Sequence, residues 1–488
     1  MKNFQRLFLL FFSLTFILSG CDPDKDKDQP VPPSSLTANA GPDQNVQTGQ
    51  TVTLDGNGSK DSESKTFTYA WAFSRKPNGS NATLNNAATA TPTFVPDLPG
   101  NYELELTIGN STGSHKDKVL IKATASVTAI ILNHITVKTV LEDRIADPNL
   151  PDYLVNSSIG VKAELTLKPG VTIAFAEDAQ FLVDEGGTIM AKGEANKKIR
   201  FTGKQDQKGY WAGIIIYSNS SANEFNYTEI FNAGSTGLID AVKTAMVVSE
   251  DARVTIKNTE IAKSNGYGLY LREGSILYGF AANKFDNNAA APIVLTAENV
   301  PKLDAATLFT ANHGIKAIEV KRSTIQETSE VVWQALQNGF PYRLAGFISV
   351  NSGWKLSPGL NIEVVQNNSI DIGDGYINAV GTADKQITIT GVDQTAGSWD
   401  GIIIYSRNSM NKMEYVNIKY AGGEPLTSNV KSSIALSSAA ALQIKNSNIS
   451  FSGGYGIHVY GDEPTLNPDA ATTNQFTSNA LNAIFYNR

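Results

Sequence analysis

Side chains able to do acid–base chemistry are few in this sequence. Hydrolysis of a glycosidic bond uses two carboxylates around one bond, and the best pair is Asp462 and Glu463 in the loop that follows Tyr460. Asp371 and Asp374 are also close, but they flank a short glycine-containing turn and are typical turn residues. We therefore expect no catalytic residue, with Asp462 and Glu463 as the candidates if the protein is an enzyme.

Patterns that bind metals or cofactors are weak. None of the four histidines shares a ligand spacing such as His-x-x-x-His; they are His115, His134, His313 and His458. Asp55, Asp61 and Glu63 could gather Ca²⁺ in a loop, although such residues also form turns without any ion. The sequence predicts no cofactor and no metal, with Ca²⁺ as the alternative at these three carboxylates.

Aromatic residues give the clearest binding signal. If they point outward, flat rings of this kind stack against sugar rings; the candidates are Tyr210, Trp211, Tyr217, Trp399 and Tyr405. On one rigid scaffold, Tyr217 and Tyr405 could act together on a long polymer. The alternative is that these rings pack beneath adjacent loops.

The elements that position these residues are duplicated. The segment from Trp211 to Ser218 recurs from Trp399 to Ser406, 188 residues later, and the same offset relates Gly268 to Gly456. Matches that continue without a gap over such a length indicate an internal repeat rather than chance.

Each copy consists of short runs rich in Ile and Val, separated by Gly, Asn and Asp, which predicts strands joined by turns. In the first copy the runs are Leu165 to Phe175, Thr188 to Met190, Ile199 to Thr202, Gly213 to Tyr217, Tyr227 to Phe231, Val254 to Ile256 and Tyr267 to Leu271. Turns too short for crossover helices favour a solenoid of stacked parallel strands. Strand alternation points Ile214 and Ile216 into its core and Ile215 and Tyr217 outward.

The residues from Leu165 to Ile173, from Ile199 to Gly203 and in the repeated Trp-x-Gly-Ile-Ile-Ile segment resemble bacterial right-handed parallel β-helix proteins of the pectin-lyase-like architecture. The resemblance implies one β-helix copy over residues 128–310 and a second over 311–488. The same architecture hosts polysaccharide lyases and glycoside hydrolases. It therefore implies a carbohydrate-active enzyme as an alternative function, while specifying fold better than chemistry.

Residues 36–125 have a different character, with strand signals at the intervals of a β-sandwich. The segments Ala38 to Gln44, Val52 to Gly56, Tyr69 to Phe73 and Gly100 to Thr107 resemble a PKD domain, an immunoglobulin-like sandwich common in extracellular bacterial proteins. Trp71 alternates with its neighbours as a core residue does, with a ligand platform as the alternative. The resemblance implies an adhesion or spacer module.

Residues 1–20 have the pattern of a secretory signal, with Lys2 and Arg6 before an apolar run too short to span a bilayer. Leu18 to Cys21 resembles the lipobox of bacterial lipoproteins, which implies that Cys21 is acylated. The acidic and Pro-rich stretch 21–35 is a tether. Its acidic start resembles the export signal of lipoproteins of the Bacteroidetes type, which implies an outer-membrane lipoprotein facing the cell exterior.

The overall balance bounds the partners. With 40 Lys and Arg against 47 Asp and Glu, the net charge of −7 argues against nucleic acid. Cys21 is the only cysteine, so no disulfide forms within the chain. We expect an all-β, non-catalytic cell-surface lipoprotein that binds a polysaccharide or another surface or matrix partner and is held to the membrane by its lipid. A structural envelope spacer is a further alternative.

Overall fold

The structure is a computed structural model that describes residues 35–437 and 439–487. The predicted signal segment, Cys21 and nearly all of the tether lie outside these residues. The chain divides into two compact units, the first ending at Ser126 and the second beginning at Val127.

The first unit is a β-sandwich. Its largest sheet has four strands in the order Gln44–Gln47, Gly113–Thr124, Gly100–Asn110 and Thr68–Arg75. Two antiparallel pairs accompany this sheet: Leu36–Thr37 with Lys60–Asp61, and Val52–Thr53 with Thr93–Phe94. Trp71 lies in the hydrophobic core between these elements and is only 5% exposed, so the prediction of a core residue is confirmed.

The three carboxylates considered for Ca²⁺ serve the local backbone. Asp55 accepts a hydrogen bond from the backbone N–H of Asn57 at 3.0 Å, and Asp61 accepts one from that of Glu63 at 2.8 Å. The Glu63 carboxylate forms an ion pair with Lys65 at 2.6 Å. Within the described residues, no three His, Cys, Asp or Glu side chains are grouped so that they could hold a metal ion.

The second unit is a parallel β-helix, as the sequence predicts. Two of its sheets are confined to the first copy. Sheet A contains Ile130–Ile131, Tyr153–Val155, Thr172–Phe175, Ile199–Gly203, Thr228–Phe231, Glu260–Ala262, Lys284–Asp286 and Leu308–Phe309. Sheet C contains Thr139–Leu141, Glu164–Leu167, Thr188–Lys192, Glu224–Asn226, Arg253–Lys257 and Ile276–Ala281.

Sheet B runs through both copies. It contains Ile159–Val161, Gln180–Val183, Gly213–Ile216, Thr244–Val248, Tyr267–Leu271, Ile293–Leu295, Ile318–Val320, Tyr342–Leu344, Asn361–Val364, Ile387–Gly391, Val416–Lys419, Asn448–Ser450 and Gln475–Thr477.

Two further sheets belong to the second copy. Sheet D contains Ser323–Ile325, Ile348–Val350, Ser369–Ile372, Gly401–Ile404, Ser432–Leu436, Tyr455–Tyr460 and Ile484–Asn487. Sheet E contains Val331–Trp333, Gly353–Leu356, Tyr376–Val380, Lys412–Glu414, Ala441–Lys445 and Thr465–Leu466. The short helices are the 3₁₀ segments Ile239–Ala241, Ala297–Lys302 and Gln337–Gly339 and the α-helix Ala470–Thr473. None of the helices in the described part of the chain is long and apolar enough to cross a membrane.

The predicted run from Leu165 to Phe175 is two strands rather than one. The chain turns between them at Gly170, whose φ of +95° is a conformation that other residues adopt at a cost. Buried asparagines hold other turns. The Oδ1 of Asn223 accepts a hydrogen bond from the N–H of Ile189 at 3.0 Å, and Asn411 does the same for Ile377 at 3.0 Å. These amides pair backbone groups of successive coils that would otherwise be buried without partners.

The strand at Gly213–Ile216 is buried on both faces. Ile214 and Ile216 are fully buried in the core of the coil, as predicted. Ile215 points to the other side but is only 4% exposed, because a second apolar cluster covers that side with Val247, Tyr270 and Val294. Leu238, Ile239 and Val242, from the loop that follows Gly234, pack onto this outer cluster. The expectation of an outward position is therefore correct in direction, but the position is not open to solvent.

The two copies are rotated relative to each other by one face of the coil. The strand Ile387–Gly391 is equivalent to Ile199–Gly203 of sheet A, yet it lies in sheet B. Likewise Gly401–Ile404 is equivalent to Gly213–Ile216 of sheet B, yet it lies in sheet D. The helix Ala297–Lys302 contacts the last strand of sheet C and the first strand of sheet D, so the change of face occurs between the copies. Equivalent residues therefore do not line up along the solenoid.

Candidate ligand-binding groove

The outer face of sheet A carries two columns of side chains in register. One column has Thr172, Arg200, Glu229, Glu260 and Lys284 on successive strands. The neighbouring column is less polar and includes Leu154, Ala174 and Thr202. Because strand alternation sends Ile173, Phe201 and Ile230 inward to the core, everything on these two columns faces away from the coil.

A loop over residues 143–151 forms a wall beside this face, and Asp152 fixes it. The Asp152 side chain is 1% exposed and accepts hydrogen bonds from the backbone N–H groups of Arg144 and Ile145, both at 2.7 Å, and of Thr172 at 2.8 Å. A buried carboxylate with three N–H partners is a strong and rigid anchor. The sheet and the wall together make a groove.

The groove consists of two adjoining clefts of about 590 and 460 Å³, with Thr172 and Arg200 lining both. Leu154, Ala174 and Phe231 supply the apolar surface of the larger cleft. The charged side chains of the two clefts are the cations Lys197, Lys198, Arg200, Lys204 and Lys263 and the carboxylates Asp143, Asp206 and Glu229. The groove is thus locally positive in a chain of net charge −7.

Each groove carboxylate is held by a cation. Glu229 is 9% exposed and contacts both Arg200 at 2.8 Å and Lys198 at 3.1 Å. Asp143 pairs with Lys197 at 3.4 Å, and Asp206 pairs with Lys263 at 2.6 Å. Hydrogen bonds from Lys263 and Asn232 hold the pKa of Asp206 below its ordinary value. Carboxylates kept ionised in this way are poor general acids.

Lys204 is the exception among the groove cations. Its ammonium contacts the Oδ1 of Asn156, and within the described residues it forms no ion pair with a carboxylate. An ammonium without a carboxylate partner attracts an anionic ligand group more strongly than one already paired.

The second copy lacks this charge pattern. Arg200, Glu229 and Lys204 correspond to Thr388, Asn417 and Val392. The sequence analysis did not select these residues, because it searched for acids, histidines and aromatics. The signal was available, since positions at which the copies differ in charge are not explained by the coil that they share.

The aromatic candidates do not form one surface. Trp211 and Trp399 are fully buried, and their indole N–H groups donate to the carbonyls of Phe231 at 2.7 Å and Lys419 at 2.8 Å. Their prediction as ligand platforms was wrong, because the Trp-x-Gly motif fills the coil interior. Tyr210 is partly buried, with its ring beside Gly203.

Tyr217 and Tyr405 also differ. Tyr217 is partly buried against the outer apolar cluster, whereas Tyr405 is 49% exposed. Since Tyr217 follows a strand of sheet B and Tyr405 follows a strand of sheet D, they do not make one continuous binding face.

The enzyme candidates Asp462 and Glu463 lie on an exposed loop. Glu463 forms an ion pair with Arg407 at 2.7 Å, and both side chains are largely in solvent. Asp371 lies in the strand Ser369–Ile372, so the expectation that it forms a turn was wrong. Burial raises the pKa of Asp371, and burial together with the charges of Glu424 and Asp371 raises that of Asp400. These two carboxyls are the acidic pair that the structure brings close on sheet D.

The histidines hold backbone rather than metal. The Nδ1 atoms of His115, His134 and His313 accept hydrogen bonds from backbone N–H groups at 3.0, 2.9 and 3.3 Å. His458 is fully buried, and neither of its ring nitrogens has a hydrogen-bond partner among the described residues.

The fold defines the class of this molecule: an all-β protein with a PKD-like sandwich followed by a duplicated parallel β-helix. Residues 40–122 match a family described as a PKD domain. None of the curated proteins compared with the chain matches it.

Three solved structures are similar to part of the chain. The PKD domain from the KIAA 1837 protein is 26% identical and covers 18% of this chain and 85% of its own, with a TM-score of 0.16. The PKD domain from human KIAA0319 is 15% identical and covers 21% of this chain and 93% of its own, with a TM-score of 0.18. A nucleoside hydrolase-related hypothetical protein from Saccharophagus degradans, described as associated with carbohydrate metabolism, is 19% identical and covers 19% of this chain and 25% of its own, with a TM-score of 0.17.

Proposed function

We propose that this protein is a non-catalytic surface lipoprotein whose β-helix binds an anionic polymer, such as an acidic polysaccharide, in the groove on sheet A. The observation that carries the proposal is the groove itself: an apolar floor beside Arg200 and the unpaired Lys204, present in one copy and absent from the other. An extended chain with repeated carboxylate or sulfate groups fits a long, open groove lined by ammonium and guanidinium groups.

The charge state of the groove supports binding rather than turnover. Acid–base catalysis needs a carboxyl group whose pKa lies near the working pH. In the groove Glu229 is bracketed by two cations, and the pKa of Asp206 is lowered. These ion pairs favour a groove that presents fixed charge to a ligand.

The anchor and the location belong to the same proposal. The lipobox-like Leu18 to Cys21 and the acidic stretch after it support a lipid anchor on the outer membrane with the folded units facing the exterior. The match of residues 40–122 to a PKD family supports an extracellular adhesion role for the first unit. In this arrangement the lipid holds the protein on the cell and the β-helix retains the polymer.

The groove is tested by measuring binding of the full-length protein in detergent to immobilised polygalacturonate, alginate and heparin. Lys204→Ala and Phe231→Ala are each expected to weaken binding about fivefold or more, the scale of one charged or aromatic contact. The matched control is Lys385→Ala, which removes the same charge from the residue of the second copy that corresponds to Lys197. Equal binding by Lys204→Ala, Lys385→Ala and wild type would overturn the site.

A second candidate function, a carbohydrate-active enzyme, is supported by the acidic pair on sheet D. Asp371 and Asp400 have raised pKa values, the property of a general acid, and Tyr405 lies close enough for the charge of Asp371 to raise its pKa as well. Reducing-sugar and unsaturated-product assays on the same polysaccharides test this function. Turnover by the wild type that disappears in Asp371→Asn or Asp400→Asn would establish the enzyme in place of the binding protein.

A further inference from the structure

The second copy carries a different polar surface where the first copy has its ionic column. On sheet B, Asn361, Thr388, Asn417, Asn448 and Gln475 occupy one register position on five successive strands. At the last four positions the first copy has Arg200, Glu229, Glu260 and Lys284. A column of charges in one copy is therefore a column of hydroxyl and amide groups in the other.

These residues line a cleft of about 420 Å³. Its walls include Gln386, Asn417, Asn448, Thr473 and Gln475, together with the ring of Tyr415. No Asp, Glu, Lys or Arg side chain of the described chain lines this cleft. A ligand held here meets hydrogen-bonding groups and one aromatic ring but no formal charge.

Part of the hydrogen-bonding capacity of the cleft is already used, and part is open. The Nδ2 of Asn417 donates to the Oε1 of Gln386 at 2.8 Å, which orients both amides. The Oδ1 of Asn448 accepts from Thr477 at 3.3 Å. Within the described residues, the Nδ2 of Asn448 and the whole Gln475 amide form no hydrogen bond and are free to pair with a ligand.

We propose that this amide-lined cleft is a second binding site, one that takes a neutral polysaccharide chain. A side-chain amide offers a donor and an acceptor together, which matches pairs of neighbouring hydroxyl groups. The column repeats at the strand spacing of about 4.8 Å, so it presents the same groups again and again to a ligand that is itself a regular polyol. The ring of Tyr415 adds an apolar face against which a sugar can pack.

The ligand class follows from what the cleft provides. An anionic chain gains nothing from a surface without cations, and a divalent cation prefers carboxylate oxygens. An extended peptide also pairs with amides, but the regular column favours a ligand whose hydroxyl groups recur. The site does not depend on the groove of sheet A, and the two sites differ in the salt dependence of binding, because only charged contacts are screened by salt.

The test is a glycan array of neutral and acidic oligosaccharides, probed with the full-length protein in detergent at about 50 mM and about 500 mM NaCl, with gelatin as a peptide control. The double variant Asn448→Ala/Gln475→Ala is expected to lose neutral glycan binding about tenfold, the effect of two hydrogen bonds. The matched control is Glu260→Ala/Lys284→Ala, which alters the equivalent positions of the first copy. Gln475→Glu keeps the size of the side chain but removes its donor, and should also weaken binding.

The expected outcome is neutral binding that is insensitive to salt, intact in the control and in Lys204→Ala, and weakened in the amide variants while their melting temperatures stay unchanged. Binding of acidic glycans only, binding of gelatin at the same site, or neutral binding that survives Asn448→Ala/Gln475→Ala would overturn the second site. Loss of acidic binding in Lys204→Ala reports on the sheet A groove alone, so failure of either proposal can be told from failure of the other.

Discussion

Tyr217 and Tyr405 are equivalent residues of the two copies, but Tyr217 follows a strand of sheet B and Tyr405 a strand of sheet D. Their surroundings differ as well, since Tyr217 packs against the outer apolar cluster and Tyr405 is 49% exposed. The internal repeat thus conserves the coil while the surface that each copy presents diverges.

The first prediction follows from this difference. Tyr217→Ala should lower the free energy of unfolding by about 1 to 3 kcal/mol, because it removes packed ring surface, whereas Tyr405→Ala should change it little. Thermal unfolding followed by circular dichroism measures both. A similar loss in the two variants would contradict the different environments of the two rings.

The second prediction concerns the covered outer face of sheet B. Ile215→Asp should destabilise the protein by several kcal/mol, as much as Ile214→Asp, because both place an unpaired carboxylate in an apolar environment. Tyr278→Asp is the control, since Tyr278 is 64% exposed on sheet C. Urea denaturation measures the three variants, and a mild effect of Ile215→Asp would mean that the outer cluster is open to water.

The comparison of sequence and structure separates short-range from long-range information. Alternation over Gly213 to Ile216 was enough to place Ile214 and Ile216 in the core, because strand direction is a local property. The cover over Ile215 was not predictable, because it depends on a loop that returns from residues beyond Gly234. The rotation of the second copy arises from the connection that includes Ala297–Lys302, whose effect on register is decided only by stacking.

The candidate site shows the same limit. Arg200 and Glu229 lie 29 residues apart, and only the parallel register brings them together. Their charge contrast with Thr388 and Asn417 was present in the sequence, but the wall of the groove was not, because it requires Asp152 to reach the backbone of Arg144 and Thr172.

The third prediction concerns this wall. Asp152→Ala removes the acceptor of three backbone N–H groups and should cost about 3 kcal/mol or more. Hydrogen exchange at Arg144, Ile145 and Thr172 should accelerate, and binding of acidic polysaccharide should weaken with it. Asp147→Ala, in the exposed part of the same loop, should leave all three amides protected; equal exchange in both variants would contradict the role of Asp152 as the anchor.

The fourth prediction is a pH dependence that originates at His458. Burial lowers the pKa of His458 below its ordinary value. Between the folded and unfolded pKa values the unfolded state therefore binds the proton and the folded state does not, so stability falls as the pH falls through the normal histidine range. His458→Phe removes this penalty, and its gain in melting temperature over wild type should be larger at about pH 5 than at about pH 8. A gain that is the same at both pH values would contradict a buried neutral imidazole.

The last prediction concerns the anchor. Cys21 lies outside the described residues, so its role is tested in cells. Cys21→Ser should abolish labelling by radioactive palmitate and move the protein from the membrane to soluble fractions or leave it unprocessed, because acyl chains contribute roughly 0.8 kcal/mol for each buried CH₂ group. A mutant that remains membrane-bound in a normally processed form would exclude the lipoprotein.

The acidic stretch from Asp22 to Asp28 is tested separately, because anchoring and export are different steps. Replacing its aspartates by asparagine should preserve acylation but make the protein resistant to protease added to intact cells, as expected if these charges direct it to the outer face. The wild type, digested under the same conditions, is the control for access. If the variant is digested as fast as wild type, the stretch is only a solvated tether, and both binding sites must then reach their polymers by another route or from another compartment.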